Sequence, residues 1–488
     1  MFDPSKYADA MSSGYWQRWN DEVQARIDRD IDQNRKADGA FQLDGAAGAE
    51  VRAEQLSSSF VFGAHIFNFN QLGSDDANEK YQALYGTLFN SATIAFYWRQ
   101  LELEEGRPRF RGEYRDTAQF WNNCPDPMHQ PHWRRPATDP VVEFCRSKGI
   151  RLHGHTLVWS SYRWQIPEWL IAKIPLDALM KGNFRRHPQN GQMETNAASG
   201  CFGDMDAEQF ADAYPEYATE INTLMARRII EIAMRYGDKI DSWDVVNESA
   251  MDYANGRLIP GARLCKSLNG PMPGDYTCRG FKIAQSVFPS RAKLNINDFY
   301  LTDDYLRQVQ DLRRRGCKID IMGAQMHLFD PKSCLDIADG ISDVQSPKAV
   351  TETFAMLGQA GVPIHLSEIT ITAPNNDERG QAIQAVITRN LYRLWFSLKP
   401  MMGITWWNVV DGCGAPGEPG VSGLFSKDMR PKPAYFALDD LINRQWRTSL
   451  CVKADKDGVA AFRGFRGTYR LTWHDPSGQE CTKNVVLE

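Results

Sequence analysis

The sequence lacks the features that mark several common classes of protein. It has no run of about 18 apolar residues, the length that a membrane-spanning helix requires. Lysine and arginine are scattered and the net charge is only −5, so we expect neither nucleic acid nor a membrane surface as a partner. Internal repeats and low-complexity segments are absent. With 42% hydrophobic and 24% charged residues, the chain is predicted to be globular with a large core.

Signals for metal or cofactor binding are also missing. The ten cysteines are dispersed, and no CxxC pair or histidine-rich spacing indicates zinc. The glycine-rich stretch 412–423 lacks the order of a phosphate-binding loop, and we expect it at the rim of a cleft. We therefore expect no metal and no cofactor. Disulfides between Cys265 and Cys278, or Cys451 and Cys481, could close loops, with free thiols as the alternative.

The N-terminal residues Met1-Phe2-Asp3-Pro4 carry no basic segment followed by an apolar one, so they do not resemble a signal peptide. Two expectations stay open for the compartment. The protein is cytoplasmic, or it is secreted or periplasmic after removal of a signal.

Aromatic residues, in contrast, are plentiful, with 14 Trp and 17 Tyr. Flat aromatic rings offer apolar faces to the C–H faces of sugars, so this composition suits a protein that binds glycans. Tryptophan is also a core residue, and about half of these rings are expected in the core in any case.

Eight apolar, strand-like runs alternate with helical stretches in the middle of the chain. The runs cover residues 60–67, 92–96, 151–158, 242–246, 293–297, 319–325, 362–367 and 403–408. Their continuous apolar character is typical of parallel strands buried on both faces. Eight strand–helix units predict an α/β fold of the closed (β/α)8 TIM barrel type.

Both ends of the chain contain short strands of a different kind. Two runs at 40–43 and 50–55 follow a helical segment at 14–36, and four alternating runs lie at 448–453, 459–462, 468–473 and 481–487. We predict that the two ends form one small β-sandwich. The expected domains are therefore an N-terminal helix and hairpin (1–57), a catalytic barrel (58–445) and C-terminal strands packed on the hairpin (446–488).

Two carboxylates stand at the ends of predicted barrel strands. Glu248 ends the fourth strand and Glu368 the seventh, and side chains at these ends face the catalytic mouth of such a barrel. Glycosidic cleavage needs a protonated carboxyl to release the leaving oxygen and an ionised one opposite it. A structural ion pair of one Glu with an arginine at the rim is the alternative.

The same strand ends carry six ordered motifs. They are Gly-His-Thr-Leu-Val-Trp at 154–159, Trp-Asp-Val-Val-Asn-Glu at 243–248, Asn-Asp at 297–298, Gln-Met-His at 325–327, Ser-Glu at 367–368 and Ile-Thr-Trp-Trp at 404–407. Leu-Phe at 424–425 and Pro-Lys-Pro-Ala-Tyr at 431–435 follow them. In order and strand position they resemble glycoside hydrolase family 10, the main family of endo-β-1,4-xylanases, over about residues 58–445.

The resemblance implies a role for each of the polar motif residues. Glu248 would be the general acid/base and Glu368 the nucleophile of a retaining reaction. Asn247 would hydrogen-bond the 2-hydroxyl of the attacked sugar. Gln325 and His327 would hold the nucleophile ionised and aimed.

The resemblance also implies which residues surround the substrate. Trp407 would form a wall of the glycone subsite, whereas its neighbour Trp406 would pack in the barrel. His155 would orient other residues, and Trp159 and Asn297 are counted among the substrate-binding positions.

The sequence departs from the family where sugars bind. The family carries a Glu-Asn-x-x-Lys run after the second strand, but Ala95 and Phe96 replace the first two residues and Arg99 the lysine. Arg99 would keep a positive charge as a planar fork. Ser160 stands where the family has a histidine, and the long loops 107–136 and 160–206 are expected to shape the cleft.

Three functions from different classes stay open. The first is an endo-acting xylanase that tolerates or requires decorated xylan, and the second is a family relative acting on another β-glycan or β-glycoside. The third is a non-catalytic carbohydrate-binding protein. The expected partner is a polysaccharide or oligosaccharide substrate, and we expect a monomer.

Overall fold

The computed structural model describes residues 3–161, 163–173, 185–186, 193–194, 205–266 and 271–488. The strands are β1 (Lys36–Gln42), β2 (Glu50–Ser58), β3 (Val61–His65), β4 (Ser91–Ala95), β5 (Arg151–Trp159), β6 (Arg185–Arg186), β7 (Met193–Glu194), β8 (Ser242–Asn247), β9 (Leu264–Lys266), β10 (Pro271–Pro273), β11 (Lys293–Asp298), β12 (Ile321–Gln325), β13 (Ile364–Ile369), β14 (Met401–Trp406), β15 (Ser449–Lys453), β16 (Val459–Phe465), β17 (Gly467–His474) and β18 (Glu480–Leu487).

The helices follow most of these strands. They are α1 (Ser13–Arg18), α2 (Asp21–Arg35), α3 (Asp75–Thr87), α4 (Trp98–Leu101), α5 (Ala118–Asn122), α6 (Thr138–Ser147), α7 (Glu168–Ile171), α8 (Ala207–Ala213), α9 (Pro215–Tyr236), α10 (Ala250–Ala254), α11 (Tyr276–Val287), α12 (Asp303–Arg314), α13 (Pro331–Ala338), α14 (Pro347–Leu357), α15 (Glu378–Ser397) and α16 (Pro433–Asp440). Short 3-10 helices lie at Pro4–Ala10, Tyr114–Asp116, Pro127–His129 and Gly358–Ala360, and a π-helical segment at Leu441–Gln445.

Eight parallel strands close into a barrel in the order β11-β12-β13-β14-β3-β4-β5-β8. These are the eight apolar runs of the sequence, so the predicted (β/α)8 fold is confirmed. Four of the strands, β3, β4, β12 and β13, are buried at every position because helices cover their outer faces and neighbouring side chains fill the interior. The antiparallel pair β9 and β10 lies outside the barrel.

The helices bury one apolar face against the barrel, as α9 illustrates. It begins with Pro215, whose fixed φ suits the first turn. Ile221, Met225, Ile229 and Ile232 repeat at helical spacing and are buried, which places them on the inner face. Among the described residues, no helix has both the length and the apolar composition needed to cross a bilayer.

The two ends of the chain meet in a small β-structure. The strands β15-β2-β17-β18 form an antiparallel sheet, and β1 pairs with β16 in a second sheet. Their inward side chains form a separate apolar core that includes Leu43, Val51, Phe462, Leu471 and Trp473. The predicted β-sandwich of N- and C-terminal strands is confirmed.

The two suggested disulfides are wrong, because Cys278, Cys451 and Cys481 carry free thiols. Cys451 lies on β15 and Cys481 on β18, and two strands separate them in the sheet. The thiol of Cys265 donates to the carbonyl oxygen of Arg257 at 2.9 Å. Cys278 instead lies beside Cys317, with the two sulfur atoms 3.5 Å apart.

The core of the terminal sandwich gives a stability prediction. Leu471 of β17 is fully buried in that core. Leu471→Ala should lower the free energy of unfolding by about 2–5 kcal/mol, because it removes buried methyl groups and leaves a cavity. Val486→Ala on the neighbouring β18 is the control, since Val486 is 59% exposed and its loss should change stability by about 0.5 kcal/mol or less. Urea unfolding measures both, and equal small effects would contradict the assigned core.

Candidate active site

A cleft of about 730 Å³ opens at the end of the barrel to which the carboxyl ends of the strands point. Segments that follow β4, β5, β8, β11, β12, β13 and β14 contribute to its lining. Its polar and aromatic wall includes Tyr97, Arg134, Arg135, His155, Trp159, Asn247, Glu248, Gln325, His327, Glu368, Trp407 and Glu418. Ligands in barrels of this class bind at this end.

The two carboxylates identified in the sequence both face this cleft. Glu248 directly follows β8, and Glu368 lies near the end of β13. These strands are separated by β11 and β12 in the barrel, so their side chains approach from different sides of the mouth. Glu248 has φ of 52°, in the left-handed region, and its amide donates to the carbonyl of Asn297 at 2.8 Å.

One amide side chain connects the two carboxylates. Nε2 of Gln325 lies 3.3 Å from Oε1 of Glu248 and 3.0 Å from Oε1 of Glu368. The two oxygens therefore cannot be farther apart than these two distances taken together. Gln325 ends β12, so the register of the barrel fixes the spacing of the carboxylates.

Glu368 is held from several directions. Its Oε1 accepts a hydrogen bond from Nδ2 of Asn297 at 2.8 Å, in addition to that from Gln325. Nε2 of His327 lies 3.4 Å from Oε2, and the other ring nitrogen of His327 contacts Oγ1 of Thr370 at 3.0 Å. These contacts favour one orientation of the carboxylate.

The side chain of Asn247 is fixed by the same network. Its Oδ1 accepts a hydrogen bond from Nδ2 of Asn297 at 2.8 Å, so its own amide nitrogen does not take part in that bond. That Nδ2 has no hydrogen-bond partner among the described residues, although Asn247 is fully buried and lines the cleft. A buried donor without a partner is costly, so a ligand in the cleft would gain by accepting from it.

The surroundings of Glu248 favour its protonated form. Burial raises the pKa of Glu248 to about 8, and the negative charges of Glu368 and Asp298 act in the same direction. The hydrogen bond from Gln325 opposes this, because it stabilises the charged form. At neutral pH the site therefore contains a carboxylic acid beside a second carboxyl group.

A histidine pair supports the floor of the cleft. Oδ2 of Asp244 lies 2.8 Å from Nε2 of His153 and 2.8 Å from Nδ1 of His155. Burial opposes ionisation of Asp244, yet its pKa is lowered because both histidines stabilise the carboxylate. This contact orients His155, whose Nε2 is then 3.8 Å from Oε1 of Glu368.

Aromatic side chains form one end of the cleft. Phe67, Ala95, Tyr97, Trp159 and Trp407 make up a small separate apolar cluster, with Trp164 against it. The ring of Trp407 lies edge-on to Phe67, with centroids 5.2 Å apart. Trp406, by contrast, is fully buried beside Tyr392 and does not line the cleft.

Two residues predicted to bind substrate are not among those lining the cleft. Arg99 is only 4% exposed, because the short helix α4 directs it toward α7, where it donates to Ile166 and pairs with Glu168. Asn297 is fully buried beneath the carboxylates, so it positions Asn247 and Glu368 instead. Both predictions are corrected accordingly.

The two long loops contribute residues that the sequence analysis did not single out. Arg134 and Arg135, near the end of the loop 107–136, line the cleft beside Tyr97. Arg163 and Trp164 come from the loop 160–206, of which residue 162 and most of 174–204 lie outside the described residues. The adjacent Arg-Arg pair was the available signal, since two cations in a loop after a barrel strand are unusual for packing alone.

The remaining parts of the cleft follow from the strand ends. Residues 415–418, within the glycine-rich stretch 412–423, form part of its rim. Ser160, which replaces the family histidine, is buried away from the cleft lining, where its hydroxyl lies 3.4 Å from Asp252.

Within the described ranges, no group of three His, Cys, Asp or Glu side chains is arranged to hold a metal ion.

Comparison with known families agrees with this geometry. The profile of glycosyl hydrolase family 10 matches residues 56–197 and 204–441, which is most of the chain. The fold is that of a barrel glycoside hydrolase. This chain belongs to glycosyl hydrolase family 10.

The individual relatives are distant. Endo-1,4-beta-xylanase C of Paenibacillus barcinonensis is 23% identical over 80% of this chain, which covers 31% of that protein. Endo-1,4-beta-xylanase A of Halalkalibacterium halodurans is 26% identical over 63% of this chain and 73% of its own length. The crystal structure of xylanase 10B from Thermotoga maritima superimposes with a TM-score of 0.52 at 17% identity, over 79% of this chain and 96% of the other. That likeness establishes the shared barrel.

The charge interaction between the two carboxylates can be measured directly. Glu368→Gln should lower the pKa of Glu248, because it removes a like charge that helps to raise it. Carbon-13 NMR titration of labelled glutamate side chains measures the shift, with the resonance of Glu248 assigned by its loss in Glu248→Gln. Glu143→Gln, on the exposed face of α6, is the control. An unchanged pKa in Glu368→Gln would contradict the coupling.

Proposed function

We propose that this protein is a retaining endo-β-1,4-xylanase, with Glu248 as general acid/base and Glu368 as nucleophile. The observation that carries the proposal is the contact of one amide, that of Gln325, with both carboxylates. Inverting glycosidases keep their carboxyl groups about 6.5–9.5 Å apart to admit a water molecule, whereas retaining enzymes need about 5–5.5 Å. The limit that Gln325 sets on the nearest oxygens favours the retaining arrangement.

The first step requires an acid, and Glu248 is suited to that role. Because its pKa is raised to about 8, it carries a proton at neutral pH. It would donate this proton to the glycosidic oxygen as the bond from the anomeric carbon to that oxygen breaks. The leaving sugar then departs as a neutral alcohol.

Glu368 would form the new bond in the same step. Its carboxylate oxygen attacks the anomeric carbon and gives a covalent glycosyl-enzyme. The hydrogen bonds from Asn297 and Gln325 keep the attacking group aimed. In the second step, Glu248 takes a proton from water, the water oxygen attacks the anomeric carbon, and Glu368 is released.

Asn247 would act on the sugar itself. Its unpartnered amide nitrogen can donate to a hydroxyl beside the anomeric carbon. Such a contact strengthens as positive charge develops on the sugar ring, so it stabilises the transition state more than the bound substrate. Trp407 and Trp159 offer apolar ring faces to the sugar in the same cleft.

The substrate assignment draws on the names of the relatives, two of which are endo-1,4-beta-xylanases. A second candidate is a different β-glycan or β-glycoside. The aromatic cluster of Phe67, Tyr97 and Trp407 favours it, because Ala95 of that cluster replaces a residue that binds sugars by hydrogen bonds in the resembled family. Phe96, the other replacement, instead packs in the main core against Tyr236 and Trp243. A less polar subsite discriminates less strongly between hydroxyl patterns.

Product release from xylan tests the substrate and the nucleophile together. The unmodified protein should release oligosaccharides from β-1,4-xylan, and Glu368→Gln should release none, because the amide cannot attack the anomeric carbon. Chromatography of the products measures both, and Glu143→Gln should behave like the unmodified protein. Products from another β-glycan alone would replace xylan as the substrate, and binding without any hydrolysis would indicate a carbohydrate-binding protein.

The role of Glu248 can be separated from that of Glu368 by the leaving group. Glu248→Ala should slow hydrolysis of xylo-oligosaccharides by about 10²–10⁴-fold, because their leaving oxygen needs a proton. For aryl xylosides with acidic phenols, the rate of the glycosylation step should fall much less, since the phenolate leaves without protonation. Equal losses on both substrates would exclude Glu248 as the acid. Proton NMR of the first product should give the β-anomer, and an α-anomer would refute retention.

A further inference from the structure

A pair of adjacent arginines lies at the aromatic end of the cleft, defined by Phe67, Tyr97 and Trp407. Arg134 is 3% and Arg135 is 7% exposed, and both line the cleft. Two guanidinium groups this deeply buried are unusual, because burial of a charge is costly unless it is paired. Their partners therefore decide what this end of the cleft can bind.

The surrounding side chains largely satisfy Arg134. Its Nη2 lies 2.9 Å from Nε2 of His65 and donates to Oδ1 of Asn408 at 3.2 Å. Its Nη1 is 3.8 Å from Oε2 of Glu418, which neutralises its charge. The same Glu418 oxygen accepts from Nδ2 of Asn408 at 2.9 Å, so this carboxylate is already fully engaged.

Arg135 is in a different situation. Its Nη1 donates to the backbone oxygen of Arg134 at 2.8 Å, and its Nε, like that of Arg134, is buried without a partner among the described residues. No described carboxylate forms an ion pair with Arg135. The central carbon of its guanidinium instead lies over the ring of Tyr97, 3.7 Å from the ring centre, and 5.0 Å from the ring centre of Phe67.

This arrangement presents the edge of a fixed cation to the cleft. Contact with the face of Tyr97 holds the guanidinium in place, and its Nη2 forms no hydrogen bond with the described residues. Burial lowers the pKa of Arg135 to about 10, and the nearby Arg134 adds to that effect. The group is still charged at neutral pH, and within the described part of the chain no carboxylate lies at ion-pair distance, although the charge of Glu418 favours its charged form. A bound anion would supply a counter-charge for the Arg135 guanidinium.

The chemistry of the donor selects the ligand. A guanidinium nitrogen forms a strong, charge-assisted hydrogen bond with a carboxylate oxygen, and Nη2 of Arg135 is the nitrogen left for such a bond. The other part of the cleft is lined by the apolar side chains of Phe299, Leu301, Met326, Phe329 and Val344. Because those residues offer no positive charge, an anionic part of the substrate is directed to the Arg135 end.

We propose that Arg135 binds the carboxylate of a uronic acid carried by the glycan, so that the preferred substrate is an acidic xylan and not a neutral one. The inference rests on the proposed xylanase function for its sugar backbone. It assigns specificity to Arg135 and a structural role to Arg134, which holds Glu418 in place.

A matched pair of substrates tests the inference. Glucuronate-decorated xylo-oligosaccharides can be compared with the same oligosaccharides after reduction of the carboxyl to a primary alcohol, which changes the charge and little else. The unmodified protein should have a kcat/KM about tenfold or more higher on the acidic form. In Arg135→Gln this ratio should fall to about one. Arg146→Gln, on the exposed side of α6, should keep the ratio of the unmodified protein.

A binding measurement separates this inference from the proposed function. Calorimetry with the Glu368→Gln protein compares the affinity of the two oligosaccharides without requiring hydrolysis. Tighter binding of the acidic form that disappears in the Glu368→Gln, Arg135→Gln double variant would support the inference even if no xylan is cleaved. Equal affinity and equal kcat/KM for both forms would overturn it while leaving the xylanase proposal intact.

Two further measurements test the inference even if Arg135→Gln does not fold. Arg135→Lys keeps the charge but loses the planar fork, so it should give an intermediate ratio. In the unmodified protein, added salt should reduce the preference for the acidic form, because ions screen the charge attraction. A preference that persists in both Arg135→Gln and Arg135→Lys would refute the role of this residue.

Discussion

Three strands of the barrel meet at one carboxylate oxygen, Oε1 of Glu368. Asn297 of β11 and Gln325 of β12 both donate to it, and the same two amides reach the residues that end β8. Because these groups are buried, displacing any one of them would leave a polar atom without a partner. The geometry of the site is therefore set by the register of the sheet, since a shift by one residue would turn these side chains to the other face.

Burial affects the charged groups of the cleft in opposite ways according to their neighbours. Glu248 is surrounded by carboxylates, and its pKa rises to about 8. Asp244 is equally enclosed but lies between two histidines, and its pKa falls. Arg134 has a carboxylate beside it and Arg135 has none. The same apolar enclosure thus yields an acid, an anion and an unpaired cation within one site.

The barrel could be predicted because parallel strands buried on both faces leave continuous apolar runs in the sequence. The carboxylates followed from it, since strand ends share one rim. Arg99 was misplaced because counting positions after β4 assumes an extended chain, whereas α4 turns the side chain toward Glu168. Arg134 and Arg135 were not singled out because their positions depend on the folded loop. Arg134 has a φ of 59°, and its backbone amide donates a hydrogen bond to the side chain of Gln71.

The pairing of the two chain ends has a consequence for synthesis on the ribosome. β2 lies between β15 and β17, and it leads directly into β3, the first strand of the barrel. Thr448 donates its amide to the side chain of Gln55 across 393 residues of sequence. The partners of β2 therefore emerge only when the rest of the barrel has been translated. Until then both edges of β2 lack these partners, and unpaired strand edges are sites at which chains associate.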